Sequence, residues 1–113
     1  MKKIFFIITI IISLNTASYA ACSGMACSEV KIEELYPTNG FTYITTDGIE
    51  ANLTNCVPIS SKFIKLLNSH SNADKIYSLL LSAALADREV YIRTNTTTGN
   101  TGECTINYVK LVN

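Results

Sequence analysis

Apolar and polar positions divide the chain into two unlike parts. After Lys2 and Lys3, an almost unbroken apolar run extends from Ile4 to Leu14, interrupted only by Thr9 and Ser13. A small-residue stretch follows and ends Ser18-Tyr19-Ala20. A positive start, a short apolar run and small residues at the last and third-last positions predict a secretory signal peptide over 1–20, cleaved after Ala20. A membrane anchor is disfavoured, because the run holds about 11 residues and a spanning helix needs about 20. Lipid attachment at Cys22 is a further alternative, weakened because Tyr19-Ala20-Ala21 lacks the usual leucine.

Beyond Ala20 the pattern becomes that of a folded domain, 21–113. Ser28 to Tyr36 begins by alternating, with Val30 and Ile32 on one face, and reads as a strand. Pro37-Thr38-Asn39-Gly40 is a turn, since Pro fixes φ and Asn-Gly tolerates positive φ. Phe41 to Thr46 is β-branched and aromatic, which predicts a second strand. Asp47-Gly48 is another turn, and 49–58 is polar and irregular. Ser61 to Leu67 fits strand or helix and is assigned as a third strand.

Ser71 to Ala86 is the clearest element, a helix. Ser71 to Asp74 resembles a capping box, with Asp74 in the first turn where the dipole favours an anion. Ile76, Tyr77, Leu80, Ala83 and Ala84 share one face at helical spacing. Leu79, Leu81 and Leu85 widen that face and predict a well-buried helix. Glu89 to Thr94 is a strand, Asn95 to Gly102 a polar loop, and Glu103 to Val112 the last strand. The order β-β-β-α-β-β predicts a mainly β fold with one helix. It matches the oligonucleotide/oligosaccharide-binding fold, a small five-stranded, partly open barrel, with Leu80 and Ala84 plugging one end. An open α+β sheet is the alternative.

Composition narrows the function. The 113 residues suit one domain, and no repeats or linkers divide them. Lys+Arg and Asp+Glu are 9 each, and removing Lys2 and Lys3 leaves 7 − 9 = −2. That excludes a basic nucleic-acid-binding surface and charge-driven attraction to membranes. The apolar content, 48%, excludes a disordered chain. The Lys-Lys start is of bacterial type, which sends the protein to the periplasm or outside the cell.

All four cysteines, Cys22, Cys27, Cys56 and Cys104, lie in the predicted mature chain. An even count in a small exported domain predicts two disulfides. Cys22 with Cys27 and Cys56 with Cys104 is the favoured pairing. A rival joins Cys27 to Cys56 or Cys104 and leaves Cys22 free or lipidated. No CxxC motif supports zinc or redox chemistry.

No catalytic constellation stands out, and no cofactor is expected. His70 is the only histidine and has no patterned partner, so it is read as a solvated loop residue. Glu33, Glu34, Asp47 and Glu50 are read as solvated surface charge, because a glycosidase needs two carboxyls set across a cleft. Tyr36 and Tyr43 flank the first turn. Asn95, Thr96, Thr97 and Asn100 belong to the late polar loop. Tyrosine faces stack on sugar rings and Asn/Thr groups hydrogen-bond their hydroxyls, so these six residues form the candidate binding site. The alternative is a core tyrosine beside an ordinary loop. Asn52-Leu53-Thr54 and Asn95-Thr96-Thr97 match the N-glycosylation pattern by chance.

The mature chain resembles a group of small exported bacterial proteins of unknown function. The resemblance rests on Cys27-Ser28, on Tyr43-Ile44-Thr45-Thr46-Asp47-Gly48 and on Ile76 to Asp87, followed by Val90-Tyr91-Ile92 and the late Cys104. The same strand-helix-strand-cysteine order is similar to the B subunits of AB5 bacterial toxins. What that resemblance implies is a barrel that assembles as a pentameric ring and binds cell-surface glycans. Fold does not fix function. The expectation is an exported, non-enzymatic binding module for a glycan or a protein surface, working as a homo-oligomer. The alternative is an accessory envelope protein with a protein partner and no glycan site.

Overall fold

The computed structural model describes residues 20–96 and 102–112. The body of the predicted signal segment, 1–19, lies outside the described residues, as do Thr97 and Asn100 of the candidate site. The strands are β1 (Ala21–Ser23), β2 (Ala26–Val30), β3 (Ile32–Pro37), β4 (Phe41–Thr46), β5 (Ile64–Leu67), β6 (Val90–Thr96) and β7 (Cys104–Leu111). One helix, α1 (Ala73–Leu85), joins β5 to β6, and a 3-10 turn at Glu50–Asn52 follows β4. All seven strands form one sheet in the order β1-β2-β6-β7-β5-β4-β3, with β5 and β7 parallel and every other pair antiparallel. The fold is therefore mainly β with one helix, as expected. The sheet has seven strands rather than five, and its ladder does not close.

Two local causes raise the count. The first is a break in the segment predicted as one strand. Glu29 takes a left-handed φ of 52°, inside a bulge between Cys27 and Val30. A bulge bends its strand and strengthens the twist. Lys31 then separates β2, which pairs with β6, from β3, which pairs with β4. The Lys31 N–H donates to Asp47 Oδ1 (2.8 Å), and the Asp47 N–H donates to Lys31 O (3.1 Å). One bent segment thus serves both halves of the sheet. The second cause is β1, where Cys22 lies directly opposite Cys27 in a hairpin and is disulfide-bonded to it. Cys56–Cys104 is the other bridge, with a sequence separation of 48. It ties the irregular 49–58 segment to β7, where Val57 N–H donates to Gly102 O and Cys104 N–H to Val57 O.

Other boundaries move for readable reasons. β5 starts at Ile64 rather than Ser61, because Ser60 and Ser61 turn the chain with φ of 52° and 64°. β6 runs on to Thr96, so Asn95 and Thr96 are strand residues, paired with Thr105 and Cys104 of β7. They do not open the expected loop. The capping box is absent as a side-chain device: Asn72 is the N-cap and makes no side-chain cap bond. At the other end Asp87 takes φ 54°, Arg88 N–H donates to Ala83 O (2.8 Å) and Asp87 N–H to Ala84 O (3.3 Å). That pair of bonds is a Schellman ending, which satisfies two terminal carbonyls.

Only one stripe of α1 is covered. Ile76, Leu80 and Ala83 are buried in the core cluster that also holds Ile44, Ile64, Leu66 and Ile106. Leu85 is 81% exposed and Leu81 39%, so the well-buried, broad-faced helix is not what forms. The sheet offers only one curved inner face, and a helix lying on it can bury only about a third of its surface. That leaves the opposite face of β3, β4, β5 and β7 uncovered by α1.

Candidate functional site

Strand alternation decides what the uncovered face carries. Along β4, Thr42 and Ile44 point into the core, while Phe41 and Tyr43 are half-buried on the other side. Directly opposed residues in neighbouring strands share a face. Tyr43 opposes Tyr36 of β3 and Lys65 of β5, Lys65 opposes Thr105 of β7, and Thr105 opposes Asn95 of β6. Three predicted site residues, Tyr36, Tyr43 and Asn95, therefore stand in one row across five strands. The two tyrosines lie at one end of the row and Asn95 at the other. Thr96 is the next residue along β6.

The tyrosine end is an aromatic platform. Tyr36 and Tyr43 stack with ring centroids 5.7 Å apart and planes 19° apart. Phe41 meets Tyr43 edge-on at 4.8 Å, and Phe63 adds a tilted contact at 5.0 Å. Tyr36 is 55% exposed, so one large ring lies open to a ligand. Lys65 lies 4.3 Å from the Phe41 centroid and 6.0 Å from that of Tyr43, and its ammonium pairs with Glu103 at 2.7 Å. Lys62 lies 5.0 Å over Phe63 and 3.9 Å from Glu34. Cation–π attraction of this kind holds each lysine beside the rings. Thr45, two residues beyond Tyr43 on the same strand, buries a hydroxyl that has no partner. The platform offers flat apolar faces rimmed by two ammonium donors and two carboxylate acceptors. It holds no nucleophile beside a base.

The sequence reading identified the tyrosines but missed Phe41, Phe63, Lys62 and Lys65. The apolar-polar-apolar alternation of Ile64, Lys65 and Leu66 is the signal for Lys65 on β5; taken together with Ser61 to Phe63, which lie outside the strand, it fits a helix as well as a strand.

Two other candidates take different roles from those expected. Glu50 is not solvated: it is 4% exposed, and its Oε1 accepts the Thr46 N–H and the Thr46 hydroxyl. It staples the Thr46 turn, because a buried carboxylate is tolerable only when charge-assisted hydrogen bonds replace its water. His70 is half-buried rather than a free loop residue. Its Nδ1 accepts the Asn72 N–H (2.9 Å), which leaves Nε2 to donate to Asn107 O (2.7 Å). The ring fastens the start of α1 to β7. Glu34 is an exposed partner of Lys62, and Asp47 anchors the β2–β3 junction. Glu33 is exposed on the edge strand. Among the described residues no group of three His, Cys, Asp or Glu side chains could hold a metal ion. Among the same residues no helix is long and apolar enough to cross a membrane. Two disulfides fit an exported protein.

No known protein family matches this sequence, and neither the curated proteins nor the solved structures contain a chain measurably similar to it.

Proposed function

We propose that this chain is an exported, non-enzymatic binding module that takes a glycan on the face built by Tyr36, Tyr43, Phe41 and Phe63. The observation that carries the reading is the stacked Tyr36–Tyr43 pair, half open to solvent on the sheet face that α1 does not cover. The C–H face of a sugar ring packs on an aromatic plane, and its hydroxyls need donors and acceptors at the rim. Lys62, Lys65, Glu34 and Glu103 provide both. Asn95 and Thr96 lie on the neighbouring part of the sheet. The barrel reading belongs with this proposal. If β2 and β3 count as one bent strand and the three-residue β1 is set aside, five strands remain, and the bent strand pairs with β6 on one side and with β4 on the other. Such sharing is how a curled sheet approaches closure. Assembly into a homo-oligomer would multiply a weak single site.

Glycan-array binding of the purified oxidised protein, compared with Tyr36→Ala, tests the reading. Loss of an aromatic stack lowers affinity by about tenfold. Retained binding in a folded Tyr36→Ala variant refutes the platform.

A protein partner with no glycan site is the second reading. The exposed Leu81 and Leu85, one turn apart on the outer face of α1, favour it. Cross-linking in the native cell that is lost in Leu85→Lys supports this reading over the first.

A further inference from the structure

The β6–β7 ladder carries a second cluster of rings and charges. Asn107 has no partner in the register, which passes from Arg93–Tyr108 to Thr94–Ile106. That extra residue shifts the phase of β7, so Tyr108 and Lys110 leave the core side while Val109 packs against it. Two consecutive outward pairs result, Tyr91 opposite Lys110 and Arg93 opposite Tyr108. Aromatic and cation alternate in both directions. The two tyrosines stack at 6.1 Å, and the Lys110 ammonium lies 4.5 Å over the Tyr91 ring.

A groove of about 370 Å³ opens beside this cluster, lined by Ser28, Glu29, Tyr91, Lys110, Leu111 and Val112. The β2 bulge creates it, since Ser28 and Glu29 together stand where one residue would oppose Tyr91. Glu29 holds a left-handed φ of 52° there. Bulges and left-handed non-glycine residues concentrate where a side chain has to be re-aimed at a site. Between described residues, neither Arg93 nor Lys110 is in an ion pair such as Lys62–Glu34 or Lys65–Glu103. Arg93 donates instead to the Met25 sulfur (3.2 Å).

We infer that this groove is a second binding site, separate from the Tyr36–Tyr43 platform, and that it takes a carboxylate-bearing sugar. The Lys110 ammonium receives the carboxylate, Tyr91 covers the ring, and Ser28 and Glu29 bond its hydroxyls, while Tyr108 and Arg93 stand beside the groove as the stacking and cross-strand neighbours of Tyr91 and Tyr108. A sugar acid uses what a plain anion does not: its hydroxyls donate to the Glu29 carboxylate, and its ring face packs on Tyr91. The inference does not rest on the reading of that platform.

The test is an amide-shift titration of the ¹⁵N-labelled oxidised protein with sodium glucuronate, glucose and sodium acetate. Glucuronate is expected to shift Ser28, Tyr91, Tyr108 and Lys110 saturably, with glucose and acetate each at least about tenfold weaker. Lys110→Gln, at an outward position and checked for an unchanged spectrum elsewhere, is expected to weaken glucuronate about fivefold or more. Equal binding of glucose, equal binding of acetate, shifts confined to other strands, or full affinity in a folded Lys110→Gln variant would each overturn it.

Discussion

Removing each disulfide separately should give unequal losses of stability. A cross-link stabilises chiefly by shrinking the unfolded ensemble, and the effect grows with the logarithm of the loop closed. Cys56 and Cys104 are 48 residues apart, and Cys22 and Cys27 are 5 apart. The chain-entropy relation assigns about 4 kcal/mol to the first bridge and about 2 kcal/mol to the second. All four cysteines are buried, so the loss of sulfur packing in an alanine pair is similar for both and cancels in the comparison. The perturbations are Cys56→Ala with Cys104→Ala, and Cys22→Ala with Cys27→Ala. Equilibrium urea unfolding of the oxidised proteins, followed by circular dichroism, reads the outcome. At a slope of about 1 kcal/mol per molar, the two midpoints should differ by about 2 M, with the 56–104 variant the weaker. Its slope should also rise, because its unfolded chain is more expanded. Midpoints within about 0.5 M of each other, or in reversed order, would refute the loop-closure argument.

Three further outcomes follow from packing. A Cβ on Gly48 would stand 3.0 Å from both Cys22 Sγ and Val30 Cγ1, so Gly48→Ala should cost about 1–3 kcal/mol in thermal unfolding, and an unchanged melt would mean that junction is loose. Glu50→Ala strands the Thr46 N–H and hydroxyl in a buried turn, and should cost about 1–3 kcal/mol by the same measurement. Leu85→Lys alters a side chain in water and should stay within about 0.5 kcal/mol of the parent, whereas a larger loss would mean that Leu85 is covered in solution.

How much could be read in advance depends on whether the physics was local. Phe41–Thr46 forms the predicted strand residue for residue, because six β-branched or aromatic positions leave no competing structure. The buried stripe Ile76, Leu80 and Ala83 follows from helical spacing alone. Tyr36 and Tyr43 became neighbours because a tight turn between two strands fixes their register. The missing parts are nonlocal. Nothing in the sequence around Glu29 marks a left-handed residue, yet that one φ divides a strand between two partners. Asn107 shifts the phase of β7, so an alternation count through Cys104–Leu111 puts Tyr108 on the wrong side. Glu50 is buried by the return of β1 and the Thr46 turn around it, which its polar neighbours do not foretell.

The bent segment Ala26–Pro37 also sets the order in which the fold can be completed. A chain is made from its N-terminus, so β2 emerges early, while the strand it pairs with, β6, comes after the helix. Cys27 waits for Ile92, and Cys56 for Cys104. Such distant pairings make folding slow relative to a helical protein of this size. The early third of the domain has no finished sheet to join until the late third arrives. A domain wired in this way stays threadable until its last strands appear, the property that the proposed export through a narrow channel would require.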